Sequence, residues 1–197
     1  MGRMLIAVVV AAVVWFAWGF LSWSVLPMHE QTMRSVPDSA KLAVALQENL
    51  PETGLYYFPS PPKNADGSAP SEEQMTAWNE VHKQGPIGTI AYRTEGRDAM
   101  SPMLLVKGFA LNLVSAIALV IVLANVRGFG RRLLAGLCVG VVAAMVGPMA
   151  DEVWLATPMD FSLAIALDSV VAPTLAALVV APIIGKGRKA KPAPDAD

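Results

Sequence analysis

The sequence predicts an all-α membrane fold: a four-transmembrane-helix bundle with a small α+β (α-β-α-β) outer domain inserted between helices 1 and 2. Three observations predict it. Four long apolar runs are separated by polar stretches. The chain is 54% hydrophobic and only 16% charged, whereas a soluble domain carries about 25% charged residues. The Lys and Arg nearest the apolar runs all fall on one side if the runs cross in alternation.

A helix needs about 20 apolar residues to cross the hydrocarbon core. Residues 4–26 form the first span. Arg3 precedes it, as in a signal peptide, but the run is too long for an h-region and no A-x-A site follows, so it reads as an uncleaved signal-anchor. Trp18 and Trp23 fall near its far end, where indoles favour the interface. The second span covers residues 103–126, behind Pro102. The third, residues 133–150, is the shortest and ends at Gly147-Pro148; the fourth covers residues 161–184. Lipid leaves no partner for unpaired backbone groups, and the alternation of barrel strands is absent, so the spans are helices.

Arg3, the link carrying Arg127, Arg131 and Arg132, and the 185–197 tail with Lys186, Arg188, Lys189 and Lys191 share one side. Asp151, Glu152, Asp160 and the 27–101 region share the other. The positive-inside rule then places both termini in the cytoplasm, and the Ala/Val-rich style points to a bacterial inner membrane. The basic tail also suits anionic lipid.

The outer domain, residues 27–101, is too patterned for a linker. Pro37-Asp38-Ser39 starts a helix with Leu42, Leu46 and Leu50 on one face, and Pro51 with Gly54 ends it. Residues 55–58 read as a strand, and residues 59–70 as an exposed loop of turn-forming residues. Ser71-x-x-Gln74 is a capping box for a second helix bearing Met75, Trp78 and His82, stopped by Gly85-Pro86. Residues 87–92 form a second strand, expected to lie parallel to the first across that helix. The core of such a unit is small, so it is expected to rest on the membrane helices or on a partner.

Charge inside a span is expensive and marks function by default. Lys107 lies about 7 Å, and Asp168 about 10 Å, below the outer ends of their spans at 1.5 Å per residue. Similar depth makes them a candidate ion pair, structural or coupled to a proton or ion; snorkelling of Lys107 is the alternative. Gly136, Gly140 and Ala144 recur every fourth residue of the third span and let a neighbouring helix approach closely, within the bundle or from another chain. Cys138, between them, reads as a buried small hydrophobe. As the only cysteine it excludes an internal disulfide and any Cys-based metal site.

His29 and Glu30 follow the first span, with Asp151 and Glu152 at comparable height, a weak candidate for a divalent metal. The H-E-x-x-H pattern fails, because Met33 stands where the second His belongs. No nucleophile elbow, Walker A or dinucleotide fingerprint is present, so no catalytic residue and no cofactor are assigned. A net charge of −1 argues against nucleic acid. The layout resembles that of claudin-like proteins in topology alone; the outer loop lacks their paired cysteines, and nothing is carried over.

The favoured reading is a non-enzymatic accessory or scaffold subunit. It would bind a membrane protein partner, or a second copy of itself, through the outer domain and the small-residue helix face. A small transporter or channel subunit coupled through Lys107 and Asp168 is the second reading. An outer-surface metal enzyme is the third.

Overall fold

The computed structural model describes residues 2–185; the basic tail lies outside them. In chain order the elements are α1 (Gly2–Ser24), α2 (Ser39–Asn49), β1 (Gly54–Phe58), α3 (Glu72–Gln84), β2 (Gly88–Tyr92), α4 (Pro102–Ala124), α5 (Phe129–Val146), α6 (Pro148–Leu155) and α7 (Met159–Ile184).

Among the described residues, four helical stretches are long and apolar enough to cross a membrane: α1, α4, the α5–α6 pair and α7. Their mean hydropathies are 2.5, 2.3, 2.2 and 2.2. The chain is a multi-pass membrane protein. Its third span is longer than the sequence suggested. It begins at Phe129 and continues past Pro148 to Leu155, so Asp151 and Glu152 sit on helix rather than in a loop. Gly147 bends it with φ −95° and ψ −106°, and Pro148 opens α6 at the position where its missing N–H costs nothing.

The bundle alternates in direction. Arg3 approaches Gly185, and the start of α1 lies along the end of α4, so α1 runs antiparallel to both α7 and α4. The positions where Gly136 and Gly140 meet Ala177 and Val170 make α5 antiparallel to α7. Arg3, Arg127 and Arg131 therefore gather at one end of the bundle.

The core fills the half of the bundle nearest that end. Ala7, Ala11 and Ala12 of α1 meet Ala116, Leu119, Val120 and Leu123 of α4 and Ala176, Ala177 and Val180 of α7. The alanines let the helix axes close up, as small residues do in lipid, where no hydrophobic force drives association. The α5–α7 seam is tighter still. A methyl on Gly136 would collide with the Ala177 side chain, and one on Gly140 would stand 2.8 Å from the Ser169 carbonyl. Pro173, inside α7, has no N–H for that carbonyl, which is left facing the glycine. The Gly136/Gly140/Ala144 face is thus covered by α7 of the same chain. It is closed to another molecule, which removes one of the two surfaces assigned to a partner. Cys138 points the other way and is exposed on the bundle exterior, not buried.

Arg132 is internal rather than a flanking charge. It is 3% exposed, and its guanidinium donates to the carbonyls of Leu123 (3.1 Å), Val126 (2.9 Å) and Ala181 (2.8 Å). These carbonyls lie at or just beyond the C-terminal ends of α4 and α7, where helices leave acceptors unfilled and the macrodipole favours a cation.

Between α1 and α4, Asp38 caps α2, and Ser71 with Gln74 forms the full capping box of α3. The strands pair antiparallel, Gly54 opposite Tyr92 and Phe58 opposite Gly88, which corrects the parallel expectation. The connection leaves β1 as an extended loop and returns as α3, arriving beside its starting point. A parallel pair would need it to travel the strand length as well. Trp78 Nε1 donates to the Pro59 carbonyl at 3.0 Å, and the Tyr57 hydroxyl meets His82 Nε2 at 2.8 Å, pinning helix to strand. In the loop, the Ser68 hydroxyl and N–H hold the Asp66 carboxyl below the usual carboxylate range. Neither α2 nor α3 buries a residue fully. Thr89 donates to the Leu155 carbonyl at 3.3 Å, linking β2 to the end of α6.

Candidate functional site

Above the alanine core the bundle opens into a cavity of about 340 Å³. All four spans contribute to it: Trp15, Trp18 and Trp23 from α1, Asn112 from α4, Val139 from α5 and Asp168 from α7. Asp168 is the one charged side chain among the described residues that line it.

The α1 stripe that supplies Ala7 and Ala11 to the core continues at helical spacing through Trp18 and Ser22. One face of one helix therefore turns from apolar to polar along its length. Asp168 faces that polar end from α7. Its Oδ1 accepts from Trp18 Nε1 at 3.0 Å and from the Ser22 hydroxyl at 2.6 Å. Its Oδ2 lies 2.9 Å from His29 Nε2. After α1 the chain turns through residues 25–33, closed by bonds from Gln31 N to Pro27 O and from Met33 N to His29 O. That turn drops the His29 ring back into the bundle, where it is 2% exposed. Trp23 stacks on it, ring centroids 4.0 Å apart and planes 8° from parallel. On the surface above, Arg34 pairs with Asp160 at 2.9 Å, a second tie between the same turn and α7.

His29 Nε2 also lies 3.0 Å from Ser22 Oγ, so one nitrogen faces both the serine and the carboxylate. A hydrolytic triad needs the carboxylate on one ring nitrogen and the nucleophile on the other. Here the serine proton goes straight to Asp168, and the arrangement does not activate Ser22. Nδ1 of His29 is buried without a hydrogen-bond partner among the described residues.

Lys107 does not pair with Asp168. It is exposed and has no ion pair or hydrogen bond among the described residues. Nine residues separate it from buried Ala116, about half a turn at 3.6 residues per turn, which puts it on the outer face of α4. Similar depth along two spans does not make two side chains face each other. The weak metal set is not assembled either. His29 is engaged with Asp168, Glu30 is exposed, and Asp151 and Glu152 lie on α6. Among the described residues no group of three His, Cys, Asp or Glu is placed to hold a metal.

Trp18, Ser22 and Trp23 were not foreseen as site residues. The i, i+4 placement of Trp18 and Ser22 on the alanine stripe was the available signal. Comparison with protein-family models, with curated proteins and with solved structures finds no match.

Proposed function

We propose that this membrane protein is a small transport-type subunit, coupled through Asp168 and His29. The carrying observation is a carboxylate inside the bundle that lines a cavity and touches a buried imidazole whose Nδ1 has no hydrogen-bond partner among the described residues. Intramembrane carboxylate–histidine pairs belong to proton and ion pathways by default. A proton relayed through the pair and a cation in the cavity compete for the same carboxylate. Proton occupancy and cation occupancy of the site therefore oppose each other, which is the elementary requirement for coupling. Four helices are few for a whole pathway, so the working form is an oligomer. Its basic end faces the cytoplasm by the positive-inside rule.

The test is proton movement in proteoliposomes loaded with pyranine under an imposed pH gradient. The wild type should relax the gradient faster than protein-free vesicles, and Asp168→Asn should abolish the difference while remaining folded and inserted. An Asp168→Asn protein that still carries protons at the wild-type rate would leave the pair a purely structural clamp.

A second reading, a non-enzymatic accessory subunit, is favoured by α2. That helix buries no residue fully, and Leu42 and Val44 are 40% and 53% exposed. In this reading a membrane partner covers the outer domain. Photo-crosslinkers at Leu42 and Leu46 in native membranes should then trap one companion in stoichiometric yield. Diffuse or absent products would remove the reading.

A further inference from the structure

We infer that the cavity beside Asp168 is a binding site for an organic monocation, a quaternary ammonium or protonated amine with an apolar body. The inference rests on the reading of Asp168 as the working centre and adds the class of its cargo.

Three indoles, Trp15, Trp18 and Trp23, line the same cavity as the carboxylate. An indole face carries a negative quadrupole and attracts a cation most strongly where water is excluded. Asp168 keeps 16% of its side chain exposed, although Trp18, Ser22 and His29 already engage it. Those three bonds fix the carboxylate in place and leave Oδ2 one further acceptor direction.

The walls discriminate among ligands. An anion is repelled by Asp168. An alkali or alkaline-earth ion needs about six oxygen ligands. Beyond Asp168 the side-chain oxygens of the lining come down to those of Asn112 and Ser169, and the Ser169 hydroxyl is spent on the Ile165 carbonyl at 2.9 Å. A neutral apolar molecule would gain nothing from a carboxylate. A weakly hydrated organic cation uses both features: aromatic faces for its apolar shell and Asp168 for its charge. The volume of about 340 Å³ suits a small molecule and excludes a peptide or a folded chain.

The experiment is equilibrium dialysis of labelled choline against the full-length protein in detergent, at fixed pH. Competition is measured with unlabelled tetraethylammonium and with the uncharged tert-butyl isostere of choline. Choline should bind at a saturable site, tetraethylammonium should compete and the isostere should not. Asp168→Asn should weaken binding roughly tenfold or more, by loss of the charge partner. Because Asp168→Asn also disturbs the hydrogen-bonded cluster, Trp15→Leu is the second variant. Trp15 makes none of those bonds, and its loss should weaken binding about threefold to tenfold.

Equal competition by the isostere, or choline affinity unchanged in folded Trp15→Leu and Asp168→Asn, overturns the assignment. Absence of saturable choline and tetraethylammonium binding overturns it as well. The pyranine assay keeps the two readings apart. Proton movement without cation binding removes only the cargo, and saturable, charge-dependent binding without proton movement removes only the coupling.

Discussion

His29 Nε2 lies 2.9 Å from Asp168 Oδ2, across 139 residues of sequence. The contact fastens the turn that ends the first span to the interior of the last, and Arg34–Asp160 repeats the tie at the surface. The two ties are chemically alike and energetically different. The outer pair is 72% and 41% exposed, and water screens such a pair to little net gain. The inner one is buried, and removing one partner strands the other in low dielectric. His29→Leu should therefore raise amide exchange across residues 27–33 by an order of magnitude or more. Arg34→Ala should change it by less than about fivefold. Exchange measured by mass spectrometry in detergent decides; equal effects would mean that the buried contact does not hold the turn.

One substitution at two glycines, one inside the α5–α7 seam and one outside it, should have opposite outcomes. Gly140→Ala forces a methyl to within 2.9 Å of the Val170 and Ser169 backbone, which cannot swing aside as a side chain can. It should destabilise the bundle by ~1–3 kcal/mol. Gly108, in α4, has nothing within 4 Å of its would-be methyl. Gly108→Ala should be neutral or stabilising by up to about 1 kcal/mol through helix propensity. Thermal unfolding of both variants in the same detergent makes the comparison.

These cases show which layers of the fold were legible in the chain. The spans follow from hydropathy because lipid imposes helix on any long apolar run. Asp38 and Ser71 could be read as caps because capping is local chemistry. The rotational position of each helix is not local. Lys107 and Asp168 were matched by depth, yet only the Ala116–Leu123 face of α4 turns inward, and Lys107 lies on the other side. Trp18 was read as an interfacial anchor, but its indole N–H turns inward to Asp168. His29 was placed at the membrane surface, because a turn that folds a ring back into the bundle has no marker in residue type. Arg132 looked like one more basic flank; its role depends on two helix ends meeting there.

Arg132 supports a sharper test because charge and shape can be separated. Its guanidinium fork reaches carbonyls at the ends of α4 and α7 at once, from one side chain on α5. Arg132→Leu strands those acceptors, at a cost on the order of 2–4 kcal/mol. Arg132→Lys keeps the charge near both helix ends but loses the planar fork, so about half of that loss should remain. Unfolding in mixed micelles should rank the proteins wild type, Lys variant, Leu variant. A Lys variant as stable as wild type would show that charge alone suffices at the two termini.

The corner where α6 ends predicts a gain rather than a loss. Ala156 has φ 54° and ψ 35°, a left-handed conformation. There the Cβ of an L-residue crowds the backbone by roughly 1–2 kcal/mol. Glycine removes that crowding and adds unfolded-state entropy worth about 0.4–1 kcal/mol, so Ala156→Gly should stabilise by roughly 0.5–1 kcal/mol net. Ala156→Val adds a β-branch at the same angles and should destabilise by more than the glycine gains. The same turn presents the Leu155 carbonyl to the Thr89 hydroxyl at 3.3 Å. If that bond matters, the valine variant should also expose β2 to exchange, while the glycine variant leaves it protected. Melting temperatures of the two variants establish the sign of each effect, and exchange at residues 88–92 establishes whether the corner couples the bundle to β2.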